Sequence, residues 1–127
     1  MIQMTNEAKK ILQDVFGFTD FRVGQKDVIE AILNRTSTLT IMPTGAGKSL
    51  CFQIPALLFK HQTVVVSPLV ALMDDQISGL KALNVNAERA HSGLDFSEKN
   101  KIWNDFITNK IKILYMSPEA LMKESTI

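Results

Sequence analysis

Apolar positions along this chain fall into alternating blocks of helical and extended spacing. Behind Thr5, a residue type suited to an N-cap, residues 6–15 place Ile11, Leu12 and Val15 on one helix face, and Gly17 is the stop signal. Residues 24–33 repeat the period, with Val28, Ile29 and Ile32 inward. Asn34 to Ser37 is a polar turn into Thr38–Met42, which reads as a short buried strand. Lys48–Phe59 is helical, with Pro55 expected to kink it or shorten its first section. Gln62–Val66, with its three valines, predicts a second buried strand, followed by a helix from Ser67-Pro68 to about Leu80. Ala87–His91 is a short strand, and Asp95–Ile107 a helix presenting Phe96, Trp103, Phe106 and Ile107 on one face. Lys112–Met116 is the last strand, and Ser117-Pro118-Glu119 opens a final helix. The order β-α-β-α-β-α-β predicts an α/β fold with a parallel sheet and right-handed crossovers.

Composition narrows the class. The 127 residues read as one domain or part of one, and 46% hydrophobic content excludes global disorder. A net charge of +1 leaves any basic face to local patterning. The single cysteine, Cys51, allows no internal disulfide and fits a reducing, cytoplasmic setting. From Ser49 to Met73 the only charged residue is Lys60, yet Gln53, Pro55, His61, Gln62, Ser67 and Pro68 interrupt the run. A helix and strand buried in an α/β sheet explain it better than a membrane span. His61 and His91 have no metal-ligand spacing, and no nucleophilic triad is evident.

The chemistry concentrates in Pro43-Thr44-Gly45-Ala46-Gly47-Lys48-Ser49, between a predicted strand and a predicted helix. Gly45 and Gly47 lack Cβ, so backbone N–H groups can approach phosphate oxygens. The helix start adds unpaired donors and a positive dipole end. Lys48 is a cation for the β- and γ-phosphates, and the Ser49 hydroxyl is a magnesium ligand. Met42 stands where the strict P-loop pattern has its first glycine, so this is the Pro-Thr-Gly-x-Gly-Lys-Ser variant.

Two further features have a bland and a sharp reading each. Phe16, Phe18 and Phe21, followed by Arg22 and Gln25, form an aromatic cluster sealing a loop, the reading that composition favours, or a base pocket. In the latter an aromatic face and an Arg hold the adenine and a Gln amide pairs with its edge. Ser67-Pro68 and Ser117-Pro118 each follow a strand, with Ser placed as N-cap and Pro at the first helical position. That is an efficient helix start. It also sends two helix N-termini out from the end of the sheet where ligands bind, suited to sequence-independent contact with nucleic-acid phosphates.

Together these segments resemble the first half of the ATP-binding domain of a RecQ-type, superfamily 2 DNA helicase. Phe18 through Gln25 is similar to the family's motif 0, Pro43 through Leu57 to motif I, Val65 through Gln76 to motif Ia, and Leu114 through Met122 to a later single-strand-binding motif. The likeness spans about residues 11–122. The Ser-Pro-Leu-x-x-Leu-Met-x-x-Gln run from Ser67 to Gln76 separates it from DEAD-box RNA helicases, which usually carry a Pro-Thr-Arg-Glu-Leu-type motif there. Val23 stands where the family usually has Pro, and Ala120 where Arg is common.

The resemblance implies a RecA-like P-loop NTPase domain over residues 1–127, truncated after about four strands. It implies ATP and Mg2+ as cofactors and DNA, single-stranded or duplex, as partner. The parent would couple ATP hydrolysis to 3′–5′ unwinding in repair and recombination, in the cytoplasm, nucleoid-associated if bacterial. It assigns Phe18, Arg22 and Gln25 to adenine, and Pro43, Thr44, Gly45, Ala46, Gly47, Lys48 and Ser49 to the phosphates and metal, with Lys48 catalytic. Ser67, Pro68, Ser117 and Pro118 go to the DNA backbone. No Asp-Glu pair occurs in these residues, so the family's motif II is absent and the chain alone is expected to be inactive. The alternatives are another superfamily 2 translocase acting on RNA and a non-catalytic nucleotide-binding module. Family strands flanking the phosphate-loop strand lie beyond residue 127, so Thr38–Met42 is expected to be a raw edge that promotes self-association.

Overall fold

The computed structural model describes residues 2–42, 47–90 and 95–122, which divide into two compact units, Met1–Lys60 and His61–Ile127. The first unit is helical. It contains α1 (Ile2–Asp14), α2 (Gln25–Leu33) and α3 (Leu50–Leu58). Ala8 and Leu12 of α1, Ile29 and Leu33 of α2 and Ile54 of α3 form its buried core, sealed by Phe16, Phe21, Leu50 and Phe59. Gly17, at φ +78°, follows the end of α1 as its sequence position requires. Pro55 does not interrupt α3, and its carbonyl accepts the Phe59 N–H at 2.9 Å.

The expected strand at Thr38–Met42 is not formed. Those residues have no regular structure, and Leu39 and Ile41 are 89% and 90% exposed. An isolated extended segment leaves its backbone groups without a ladder, and among the described residues no strand pairs with it. The sheet therefore has three described strands where the sequence predicted four.

That sheet lies in the second unit, in the order β1 (Thr63–Val66), β3 (Ile113–Met116), β2 (Ala87–Ala90), all parallel. The connections are α4 (Val70–Ala82) and α5 (Phe96–Ile107), and α6 (Pro118–Met122) follows β3. The central strand β3 is buried at every position. Among the described strands β1 pairs with β3 on one side, and Val64 and Val66 are 43% and 44% exposed, so it is half-buried rather than buried as predicted. On α5 the inward side chains are Ile102, Trp103 and Phe106, while Phe96 and Ile107 face solvent. The Asp95 carboxylate caps α5 by accepting the Glu98 N–H at 2.8 Å.

The entry to α2 is a tight turn over Arg22-Val23-Gly24-Gln25, closed by the Gln25 N–H donating to the Arg22 carbonyl at 3.1 Å. Gly24, at φ +88° and ψ −24°, occupies the third position, where a type II turn requires positive φ. Val23 is 98% exposed at the second position, where Pro is favoured. Val23→Pro is expected to stabilise the chain by about 0.4–1 kcal/mol, because it restricts the unfolded state while fitting the turn. A higher urea midpoint at unchanged slope checks this.

Candidate nucleotide site

The site is built by helix periodicity. Gln25, Ile29 and Leu33 lie at successive fourth positions and face the core, so α2 carries a glutamine inward at its first turn. Gln25 is 1% exposed, and its amide is held at both ends. Oε1 accepts the Arg22 N–H at 2.7 Å, and Nε2 donates to the Gly47 carbonyl at 3.1 Å. A buried amide left unpaired would cost about 1–3 kcal/mol, so these two bonds fix where the side chain lies. The first stitches the Arg22–Gln25 turn closed, and the second ties that turn to the candidate phosphate loop at Gly47.

Gly47 is shaped by the same contact. It has φ +76°, and a Cβ built there would run into the Gln25 Nε2. Only glycine gives both the left-handed backbone and the space for the amide. Beyond it, Lys48 is exposed and Ser49 is half-buried immediately before α3. The Ser49 carbonyl accepts the Gln53 N–H at 3.0 Å, but its side chain makes no capping bond, so the hydroxyl is not consumed by the helix. An unblocked backbone at Gly47, an exposed ammonium and an uncommitted hydroxyl at a helix start fit a phosphate with its divalent cation. Pro43, Thr44, Gly45 and Ala46 lie outside the described residues.

In the candidate base pocket the aromatics divide. Phe16 and Phe21 pack on the core of the first unit, as the bland reading of the cluster requires. Phe18 is 47% exposed, its backbone pinned by N–H donation to the Leu12 carbonyl at 3.1 Å. Arg22, further along the same segment, is exposed. The structure thus joins Arg22, Gln25 and Gly47 through hydrogen bonds, while Phe18 presents an open ring.

Next to the phosphate loop is a cavity of about 220 Å³, lined by Val28, Ile32, Thr40, Met42, Lys48, Cys51 and Phe52. Cys51 is buried, with its Sγ 3.9 Å from the Met42 Sδ, and desolvation pushes its thiol pKa up. It is a core residue kept neutral, as its place in an apolar helix suggested.

In the second unit the two Ser-Pro corners stand on neighbouring strands. Val66 is in register with Met116, and the Ser67 N–H donates to the Met116 carbonyl at 3.0 Å, so the corners leave the same end of the sheet. Their local structures differ. The Ser117 hydroxyl accepts the Ala120 N–H at 3.2 Å, and Pro118 is the first residue of α6, as predicted. Ser67 is not an N-cap: its hydroxyl accepts the Leu69 N–H at 3.2 Å, and α4 begins at Val70 after Leu69. The extra residues form a short side-chain turn that delays the helix. Gln76, which closes the Ser-Pro-Leu-x-x-Leu-Met-x-x-Gln run, makes a contact that the sequence did not reveal: its Oε1 accepts the Tyr115 hydroxyl at 2.9 Å and ties α4 to β3. Among the described residues no cluster of His, Cys, Asp and Glu could hold a metal, and no helix is long and apolar enough to cross a membrane.

Comparison with known proteins places these features in context. The DEAD/DEAH box helicase family matches residues 22–126. The ATP-dependent DNA helicase RecQ of Haemophilus influenzae is 44% identical over 118 residues, 93% of this chain and 19% of that protein. The RecQ of Synechocystis is 43% identical over 116 residues, 91% of this chain and 24% of that protein. The chain therefore spans about a fifth of the length of these relatives. A crystal structure of a hypothetical ATP-dependent RNA helicase from Sulfolobus tokodaii superposes with a TM-score of 0.65 at 20% identity, over all of this chain and 38% of that one. That likeness is one of fold.

Two outcomes follow from the local geometry. Gly47→Ala forces both a left-handed alanine and displacement of the Gln25 amide, a loss of about 2–4 kcal/mol. Gly17→Ala, whose added Cβ would meet nothing within 4 Å, carries the backbone strain alone. Urea unfolding of the two variants side by side should show the larger loss at Gly47. The Cys51 thiol gives a pH signature. Because its folded pKa is raised, its contribution is intact below the unfolded value of about 8.5 and declines as pH rises beyond it. Urea midpoints at pH 7 and 10 are expected to fall less for Cys51→Ala than for the native chain.

Proposed function

Because this chain belongs to the DEAD/DEAH box helicase family, we propose that it is the nucleotide-binding portion of a RecQ-type ATP-dependent DNA helicase. The observation that carries this reading is the Gln25 bridge, which holds the adenine-side turn and the phosphate loop in one hydrogen-bonded unit. Lys48 and Ser49, with Pro43, Thr44, Gly45, Ala46 and Gly47, bind the phosphates. Phe18 offers a stacking face for adenine, Arg22 clamps the base and Gln25 reads its edge. Ser49 holds magnesium, which neutralises charge on the β- and γ-phosphates.

Ser67, Pro68, Ser117 and Pro118 contact the DNA backbone without reading bases. In the complete protein ATP hydrolysis drives 3′–5′ DNA unwinding in repair and recombination, in the cytoplasm, with nucleoid association if the cell is bacterial. These residues alone bind nucleotide without hydrolysing it, since they contain no Asp-Glu pair to anchor the metal and orient water.

A titration of the chain with a fluorescent ATP analogue and magnesium tests this reading. Saturable binding is expected, displaced by ADP and not by GTP, with no phosphate release. Lys48→Ala should weaken it by about tenfold or more, the loss of one charge-assisted contact. Equal displacement by GTP would remove the adenine assignment, and unchanged affinity in Lys48→Ala would remove the phosphate assignment.

A further inference from the structure

The two Ser-Pro corners of the second unit hold their helices in different ways. α6 is joined directly to β3: the Ser117 hydroxyl accepts the Ala120 N–H at 3.2 Å, and Pro118 is already helical. α4 has no such joint. Ser67 is fixed by its N–H bond to the Met116 carbonyl, but its hydroxyl is spent on the Leu69 N–H. Leu69 is extended, at φ −98° and ψ 92°, and no side chain caps the helix that starts at Val70. The chain leading into α4 therefore does not set where its first turn, with the N–H groups of that turn, comes to lie. Met73, Ile77 and Leu80 are buried along the helix, yet apolar packing is non-directional and selects a face more strongly than a level.

What sets the level is one row of the sheet. The register places Val65, Tyr115 and Arg89 side by side, and Val65 and Tyr115 each stand two positions before a corner serine. From that row the Tyr115 hydroxyl donates to Gln76 Oε1 at 2.9 Å, and Arg89 Nε to Asp74 Oδ1 at 2.9 Å. Both partners lie in the first two turns of α4. The ion pair is open to water at Asp74, 55% exposed, and contributes little. Tyr115 is 1% exposed, so its bond is made away from water and is the stronger directional tie of the two. Taking the Ser-Pro corners as the backbone contacts proposed above, we propose that Tyr115 and Gln76 are positioning residues for the nucleic-acid strand. Their bond holds the first turn of α4 level with the Ser117 corner, so that one strand meets both corners. The pair acts through α4 and does not itself touch the strand.

Fluorescence anisotropy of a labelled single-stranded oligodeoxynucleotide, titrated with the chain, tests this role. Tyr115→Phe keeps the ring and should weaken strand binding by about three- to tenfold, the net worth of one hydrogen bond, with the affinity for an ATP analogue unchanged. Gln76→Leu removes the same bond from the half-buried helix side, and should do likewise even if the strand variant fails to fold. The double variant should bind no worse than either single one. Cycles with the corner serines separate positioning from general weakening. Ser67→Ala should cost less in the Tyr115→Phe background than in the native chain, because both act on the α4 corner, whereas Ser117→Ala should cost the same in both. Strand binding indifferent to both Tyr115→Phe and Gln76→Leu would overturn the proposal and leave the backbone reading standing. So would a loss that adds in full to that of Ser67→Ala. A chain that binds no strand at all would remove the backbone reading and this role with it.

Discussion

A buried glutamine amide must be satisfied at both ends, and in this protein that requirement organises the candidate site. Gln25 is carried into the core of the first unit by the period of α2, where its oxygen finds the Arg22 N–H and its nitrogen the Gly47 carbonyl. Three consequences follow from one side chain. The turn before α2 is closed, Gly47 is confined to glycine, and the segment proposed to meet the base is mechanically joined to the segment proposed to meet the phosphates. An amide that holds the loop in place can also sense a ligand, since pairing with a base edge would compete with the bonds it now makes.

The second unit rests on a different constraint, the burial of one strand. β3 is covered at every position and fixes the register of both neighbours, so Ser67 and Ser117 leave the sheet at the same level. The helix that follows Ser67, α4, is tied back through the Gln76–Tyr115 bond and its ion pairs to β2. The ion pairs are exposed and contribute at most about 1 kcal/mol each, so the buried strand outweighs them. Their larger effect is to place charge along β2.

Much of this was legible in the sequence. Every predicted helix is present, several marked by a start or stop that held, such as Asp95 before α5 and Gly17 after α1, whereas Thr5, read as an N-cap, lies within α1 and Ser67 does not cap α4. The family likeness was carried by spaced motifs and agrees with the comparisons. What failed did so for want of a neighbour. Thr38–Met42 has the residues of a strand, but strand formation depends on a partner that local sequence does not specify. Ser67-Pro68 and Ser117-Pro118 share a pattern yet adopt different corners, since Ser67 spends its hydroxyl on Leu69. The Gln25–Gly47 contact joins residues far apart in sequence, though the inward position of Gln25 could have been found from its spacing to Ile29 and Leu33.

The central claim is that Gln25 couples the base side of the site to the phosphate side. The most direct measurement follows two NMR signals, the Gln25 side-chain amide and the Gly47 backbone amide, as magnesium-ATP is added. The account predicts that both move along one saturation curve, and that GTP moves Gly47 without reproducing the Gln25 shift. A Gly47 response with a Gln25 amide indifferent to the nucleotide would contradict it.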